Sequence, residues 1–561
     1  MTRNHMGWLA TGVFALATAG LSAQAPATSD ARIQALIKDA AERVANGDGV
    51  AQNPILGASM QSTDTRPVVH LTLDDAVKAA LDHNLDISVQ RLNPQLSDIA
   101  VASARSVYHP NLTSQVSTNS NTNASTSTIS GASAGSGVVT TNTIFNGGIA
   151  QSIPWFGGSF SVQLNNNRQT TTNQTQLINP TFNTQWTGQY NQPLFRNFLI
   201  DSTRQTLAVA RINRDISDVQ LRASITNTLS NVRNAYWDFV FATQAVEVAR
   251  QSLALASKLV ADNQTRVEIG TMAPIDVVQA RAEQATRRQG LVTAESTRRT
   301  TELTLKRLIV NGTADPLWNS AIDPVDRPDF SPVPVDIEAA VRRALSERTD
   351  LEIAKKNIEA NDVTMKFLVD QTRPQADLLV NYGYSGIGGT QLITSGTGVN
   401  RTVIGTIPGG YADALSSLFD RALPRWTAQV NISYPIGNSA QEASAARARV
   451  QLNQVQAQIK QIELQVATDI TNAAIQVQNT TEAVESAQAA RDLSQQRLEA
   501  EQSKFEVGMS TNYFVVQAQR DLADARNTEL RATLNYRKAL VELERLQQTT
   551  LQNLNITVLG R

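Results

Sequence analysis

Apolar residues recur every seven positions through a long central stretch. The series is Ile225, Val232, Phe239, Val246, Leu253, Val260 and Val267, with Leu229, Tyr236 and Ala249 at intermediate steps. A sustained heptad keeps one seam facing a partner, so the pattern predicts a long helix in a left-handed coiled coil. Gly270 breaks it, and Pro274 restarts a helix at the first-turn position, where a missing N–H costs nothing. The second helix, Ile275 to about Leu308, runs back. The same unit returns 238 positions later, with Gly270 matching Gly508 and Val277-Val278-Gln279-Ala280 matching Val515-Val516-Gln517-Ala518. There the heptad reads Ile470, Val477, Val484, Leu498 and Phe505, interrupted by Arg491.

A second correspondence lies upstream. Leu71-Thr72-Leu73-Asp74-Asp75 opens a helix with Thr72 as cap and Asp75 in a capping-box position. Ala76, Val77, Ala80 and Leu81 line one face, and the helix is expected to continue to about Val107, before Pro110. A matching helix opens at Val335, carries Ala340, Val341, Ala344 and Leu345, and ends at Pro374. The pairs lie 264 positions apart.

Between these helices the period falls to two. Phe182, Trp186 and Tyr190 share one face, opposite Asn183, Gln185, Thr187, Gln189 and Asn191. Trp426, Ala428, Val430, Ile432 and Tyr434 oppose Thr427, Gln429, Asn431 and Ser433, and Ala376 to Tyr384 alternate likewise. Strands of about ten residues, apolar on one face and polar on the other with aromatics near their ends, suit a transmembrane barrel. A soluble sandwich is the alternative, but the flanking helices are too polar to cover the apolar faces. Residues 120–150 and 386–424 read as external loops, the second with a short helix from Ala414 to Ala422. Ile153 to Gln169 reads as a further hairpin extending the sheet above the membrane.

The domain plan is therefore a signal peptide at 1–25, a leader and linker at 26–66, a first repeat at 67–334 and a second at 335–561. In the first repeat the strands occupy about 109–197 and a Pro-rich link closes the unit; in the second they occupy about 375–436. Met1 to about Ala25 has a weakly basic start, an apolar core from Trp8 to Leu21 and small residues for cleavage after Ala23 or Ala25. An anchoring helix is disfavoured by its short core, and no later run approaches the roughly 18–20 apolar residues of a helical span.

Composition changes the picture little. The net charge of −1 gives no electrostatic sign of a nucleic-acid partner. The absence of cysteine excludes disulfides, Cys-based metal sites and an N-terminal lipoprotein anchor. The four histidines (His5, His70, His83, His109) are scattered without an i+4 partner, and no cofactor or metal motif appears. Gly131-Ala132-Ser133-Ala134-Gly135 fits the serine-hydrolase pattern but sits in a Ser/Gly/Thr tract with no strand before it or helix after it. Arg298-Arg299 and Arg342-Arg343 read as solvated helix faces. The chain is expected not to be an enzyme.

The duplicated helical openings, the Gln192-Pro193-Leu194 step and the turns Arg266 to Val277 and Phe505 to Thr511 resemble the TolC family of outer membrane efflux proteins, from about Leu71 to Leu546. The resemblance implies an α+β membrane protein: a homotrimer in which each subunit gives four strands to a twelve-stranded transmembrane β-barrel, continued by a twelve-helix periplasmic coiled-coil α-barrel. A helix from about Gln205 to Val267 would reach on the order of 100 Å, which suits a tube across a compartment. The implied function is a passive outer membrane exit duct of a tripartite efflux or type I secretion system. Its implied partners are outer membrane lipid, a periplasmic adaptor and an inner-membrane pump of RND, ABC or MFS type, with small toxic molecules or proteins as cargo. By position, Val267, Gly270, Thr271, Val507, Gly508, Met509, Ser510 and Thr511 are adaptor-contact tips. Asp276, Gln279, Phe514 and Gln517 are aperture candidates. Phe514 and Gln517 stand where some members of the family carry acidic residues, so an acidic ring is not expected; an apolar constriction at Phe514 and a packing role for it are both open. A trimeric coiled-coil surface adhesin or structural outer membrane protein is the alternative, which would expect a single stalk and one terminal strand segment.

Overall fold

A computed structural model describes residues 66–125, 129, 137–327, 329–396, 401–421, 423–437 and 439–556. The expected signal peptide, nearly all of the leader and the Gly131 to Gly135 motif lie outside the described residues. Each half follows one plan: short helices, strands, a very long helix, a turn and a return helix.

In the first half β1 (Val68–Leu71) leads into α1 (Leu73–His83), α2 (Leu85–Gln90) and α3 (Leu92–Ser106). The expected single helix to Val107 is thus broken. The reason is local: Asn84 accepts the Ile87 N–H at 3.0 Å and donates to the Leu308 carbonyl at 2.8 Å, capping a new helix and pinning it to the return helix. Thr72 caps α1 as expected, accepting the Asp75 N–H at 3.1 Å. Strands β2 (Asn111–Ala124), β3 (Gly137–Ser152), β4 (Ser159–Thr171) and β5 (Ile178–Pro193) follow, then α4 (Ser202–Glu268) and α5 (Pro274–Ile309). A link with α6 (Pro316–Asn319) and β6 (Ala321–Pro324), which pairs with β1, closes the half. The second half has α7 (Ile337–Glu347), α8 (Thr349–Asp370), β7 (Gln375–Ser395), β8 (Thr402–Ile407), α9 (Tyr411–Phe419), β9 (Leu423–Ser433), α10 (Ala440–Glu506), α11 (Asn512–Leu546) and α12 (Thr550–Asn553).

The long helices α4 and α10 each have 67 residues. Ile225, Val232, Phe239 and Val246 are buried on the predicted seam, but Leu253, Val260 and Val267 are only half-buried. From Ala242 the buried line passes instead through Ala256, Leu259 and Asn263. A straight α-helix drifts by about 20° per heptad against a seven-residue repeat, so the facing stripe migrates along so long a helix. Arg491, which interrupts the second heptad, pairs with Glu529 at 3.3 Å. The largest core joins Leu229, Tyr236 and Phe239 of α4 to Leu305 and Ile309 of α5 and to Ala76 and Ala80 of α1. Beside it the fully buried Lys306 ammonium is held by Glu302 at 2.7 Å and the carbonyls of Trp318 and Ser320, which ties the link to the hairpin.

All the remaining strands form one antiparallel sheet in the order β2-β3-β4-β5-β7, with β9 on the near half of β7 and β8 on its far half. One row across it runs Leu112, Ile149, Val162, Gly188, Tyr382 and Trp426. The next row, on the opposite face, runs Thr113, Gly148, Gln163, Thr187, Gly383 and Arg425. The expected division into an apolar and a polar face therefore holds along β5, β7 and β9, and reaches β2, β3 and β4 at the level of this row.

The strand count is larger than the four per subunit implied by the resemblance. Residues 120–150, expected as loop, contain the end of β2 and most of β3, and the predicted hairpin after Ile153 extends the sheet sideways instead of upward. Its turn lies beside the helix starts, where an added Cβ on Gly157 would stand 2.5 Å from the Asn197 carbonyl. In residues 386–424, likewise, β7 runs on to Ser395, and the short helix is Tyr411–Phe419, not Ala414 to Ala422. It lies on the apolar face, where Tyr411 meets Phe145 and Phe182 edge-on at 5.4 and 6.3 Å.

Candidate functional site

The two turns predicted at Gly270 and Gly508 have the same construction. Gly270 has φ +79 and Gly508 φ +80, the left-handed conformation in which a side chain is strained. After α4 the Thr271 N–H returns to the Arg266 carbonyl at 2.9 Å and the Gly270 N–H to Val267 at 3.0 Å. After α10 the Met509 N–H returns to Lys504 at 2.8 Å and the Gly508 N–H to Phe505 at 3.2 Å. Both are Schellman caps, which satisfy the last helical carbonyls within a single tight turn. The tip candidates Gly270, Thr271, Val507, Gly508, Met509 and Thr511 are exposed, while Val267 and Ser510 are half-buried. Apolar Ile269, Val507 and Met509 are 68, 70 and 80 % exposed, a concentration of uncovered apolar surface at one end of the molecule.

The structure brings the two turns side by side. Arg266 lies over the Phe505 ring at 4.5 Å, and Leu259, Phe505 and Val515 share a small core with Met272 and Val516 at its margin. Next to them buried Asn263 donates to the Asn512 side chain at 2.9 Å, and Asn512 donates to the Asp276 carbonyl at 3.3 Å. Three helices from both halves thus meet at one amide junction just behind the tips. Further along, Glu283 of α5 accepts from Arg287 at 2.7 Å and from Arg520 of α11, whose Nε lies at 3.0 Å. Burial opposes ionisation of Glu283, but the bonds from Arg520 and the charge of Arg287 outweigh it and hold the carboxyl below its ordinary value.

Of the aperture candidates, Asp276 is half-buried beside Asn512, while Gln279 is exposed. Phe514 is 50 % exposed, its ring edge-on to Tyr513 at 5.6 Å. Gln517 donates to Asp521 at 2.8 Å, and the other oxygen of Asp521 accepts from Arg497 at 2.7 Å. Sequence reasoning missed Asn263, Asn512, Glu283 and Arg520. One signal was present: Asn263 continues the spacing of Ala242, Ala249 and Ala256, and an amide at such a seam position needs a partner.

A sequence model described as outer membrane efflux protein matches residues 148–311 and 340–547. A search of curated proteins finds no match. Among solved structures, CusC superposes with a TM-score of 0.62 at 15 % identity, covering 85 % of this chain and 91 % of its own. The CmeC outer membrane channel of Campylobacter jejuni gives 0.60 at 14 %, over 86 and 88 %. The MtrE outer membrane channel of Neisseria gonorrhoeae, solved in an open state, gives 0.57 at 15 %, over 85 and 88 %.

Proposed function

The chain belongs to the outer membrane efflux protein family, and from that premise we propose that it is the passive exit duct of a tripartite efflux or type I secretion system. It acts as a homotrimer in the outer membrane, with its long helices in the periplasm. A periplasmic adaptor meets the paired tips, and an inner-membrane pump supplies energy and selects small toxic molecules or proteins as cargo.

The two-faced sheet, continuous with the paired helices, supports this reading best. Its apolar row suits lipid, and its polar row of Thr113, Gln163, Thr187 and Arg425 suits a water-filled lumen. The strand region recurs twice between helices, unlike a stalked adhesin with one terminal strand segment.

Closure falls to the region behind the tips. The Asn263–Asn512 junction and the Glu283–Arg520 clamp hold the hairpins together, and exposed Phe514 with Tyr513 supplies an apolar constriction that gates by excluding water. Adaptor contact at Val507 and Met509 shifts this two-state packing toward the open form. Deleting the protein should sensitise cells to exported compounds, and the purified trimer should form channels in planar bilayers. Phe514→Ala should raise single-channel conductance; unchanged conductance removes Phe514 from the gate.

A further inference from the structure

We propose that three copies of this chain close an eighteen-stranded barrel, each giving six strands: β2, β3, β4, β5, β7 and β9. The inference rests on the trimeric duct reading and concerns how wide its outer membrane section is.

The added strands belong to the barrel wall. The β3–β4 ladder keeps one register from Ser152 opposite Ser159 to Thr140 opposite Thr171. It is interrupted only at Phe145 and Asn146, where Asn166 bonds to the Asn146 side chain and the Phe145 carbonyl. Strand β2 follows β3 from Asn111 opposite Ala150 to Ala124 opposite Gly137. These pairings share the level of the β7–β9 ladder near the helices, and Leu112, Ile149 and Val162 continue the apolar row of Tyr382 and Trp426. Every one of the eleven residues of β9, and nearly all of β2, is exposed in the single chain, so both are open edges. Open edges are prohibitive in lipid. Six is an even number, so β2 of one copy runs antiparallel to β9 of the next without any change of topology.

The helices below agree. Chain connections place α3 under β2, α4 under β5, α8 under β7 and α10 under β9, and α3, α4, α8 and α10 pack in that order. Four helices at about 8–10 Å spacing occupy about 32–40 Å of a ring. Six strands about 4.8 Å apart, tilted by about 40°, occupy about 37 Å, whereas four would occupy about 25 Å. The wider wall continues the helical tube without a step, and barrels of this strand number hold an aqueous channel.

The natural chain has no cysteine, which makes cross-linking clean. Variants combining Ser114→Cys, Val116→Cys or Thr118→Cys with Ala428→Cys or Val430→Cys should yield covalent trimers on oxidation in native membranes. Within one chain those strands are too far apart to join. A second series, Val162→Cys or Leu164→Cys with the same β9 positions, reports a twelve-stranded wall in which the β2–β3 hairpin is left out. Cross-links in that series, or none in either series from trimers still assembled through their helices, overturn the proposal while leaving the duct intact. Absence of trimers altogether overturns both.

Discussion

The two halves agree in their helices and disagree in their strands. Both long helices have 67 residues, both end in the same cap, and the turn glycines differ by one degree in φ. Between helix and helix, the first half has four strands, and the second has two in the shared wall with β8 and α9 beyond them. The constraint is different in kind. Paired helices that must finish at one junction cannot change length independently, because Asn263 would lose Asn512. A sheet gains an antiparallel hairpin without disturbing either neighbour's direction, provided each new strand keeps its two faces distinct.

The sharpest way to break this comparison is to attack the faces. Val430→Arg or Ile432→Arg puts a cation on the lipid side of β9, costing up to about 2–4 kcal/mol per chain and least for Ile432, which lies nearest the helices. Three chains multiply the penalty, so detergent-extracted trimer should be almost lost. Normal trimer yield would mean that this face does not meet lipid.

A smaller effect is expected where the two halves meet. Glu283→Gln removes a charge-assisted contact between α5 and α11, with a cost of about 2 kcal/mol, since Arg520 is half-exposed and solvent weakens its share. The Glu283 carboxyl is held below its ordinary value. Its contribution is therefore full above the unfolded value of about 4.3 and is lost as pH falls through the lower folded value. The natural trimer should gain open probability in bilayers as the solution is made strongly acidic, whereas Glu283→Gln should be more open at neutral pH and less responsive to acid. Identical acid responses would show that another group controls closure.

The same contrast decides what could be read from sequence. Heptads and turn glycines are dense local signals, so the helices, the two tips and the overall family plan were legible. The faces of β5, β7 and β9 were legible because aromatic and aliphatic residues mark every second position. In β2 and β3 the outward positions include Ser114, Thr118, Ser120, Thr141 and Thr143, so the period is hidden and the stretch resembles loop. The missing strands did leave a trace: the offset between halves is 264 before the strands and 238 after them, so the first half carries 26 residues more. That is the length of one hairpin. The junction was less legible, because Asn263 and Asn512 lie 249 positions apart and Glu283 and Arg520 lie 237 apart. Such pairs become visible only when both hairpins are placed together.

The smallest effect sharpens the agreement between the halves. Gly270→Ala and Gly508→Ala each force a side chain into left-handed backbone, at about 1–2 kcal/mol. Neither added Cβ would have an atom within 4 Å, so backbone strain is the whole cost and should be equal at the two tips. Trimer yield should stay normal while both caps fray, and export measured as tolerance to toxic compounds should fall for each variant. Matching losses would show that the two tips are used alike. A loss at one tip alone would show that the adaptor distinguishes halves whose backbones match, and would place that distinction in the side chains of Val507 and Met509 against Ile269 and Thr271.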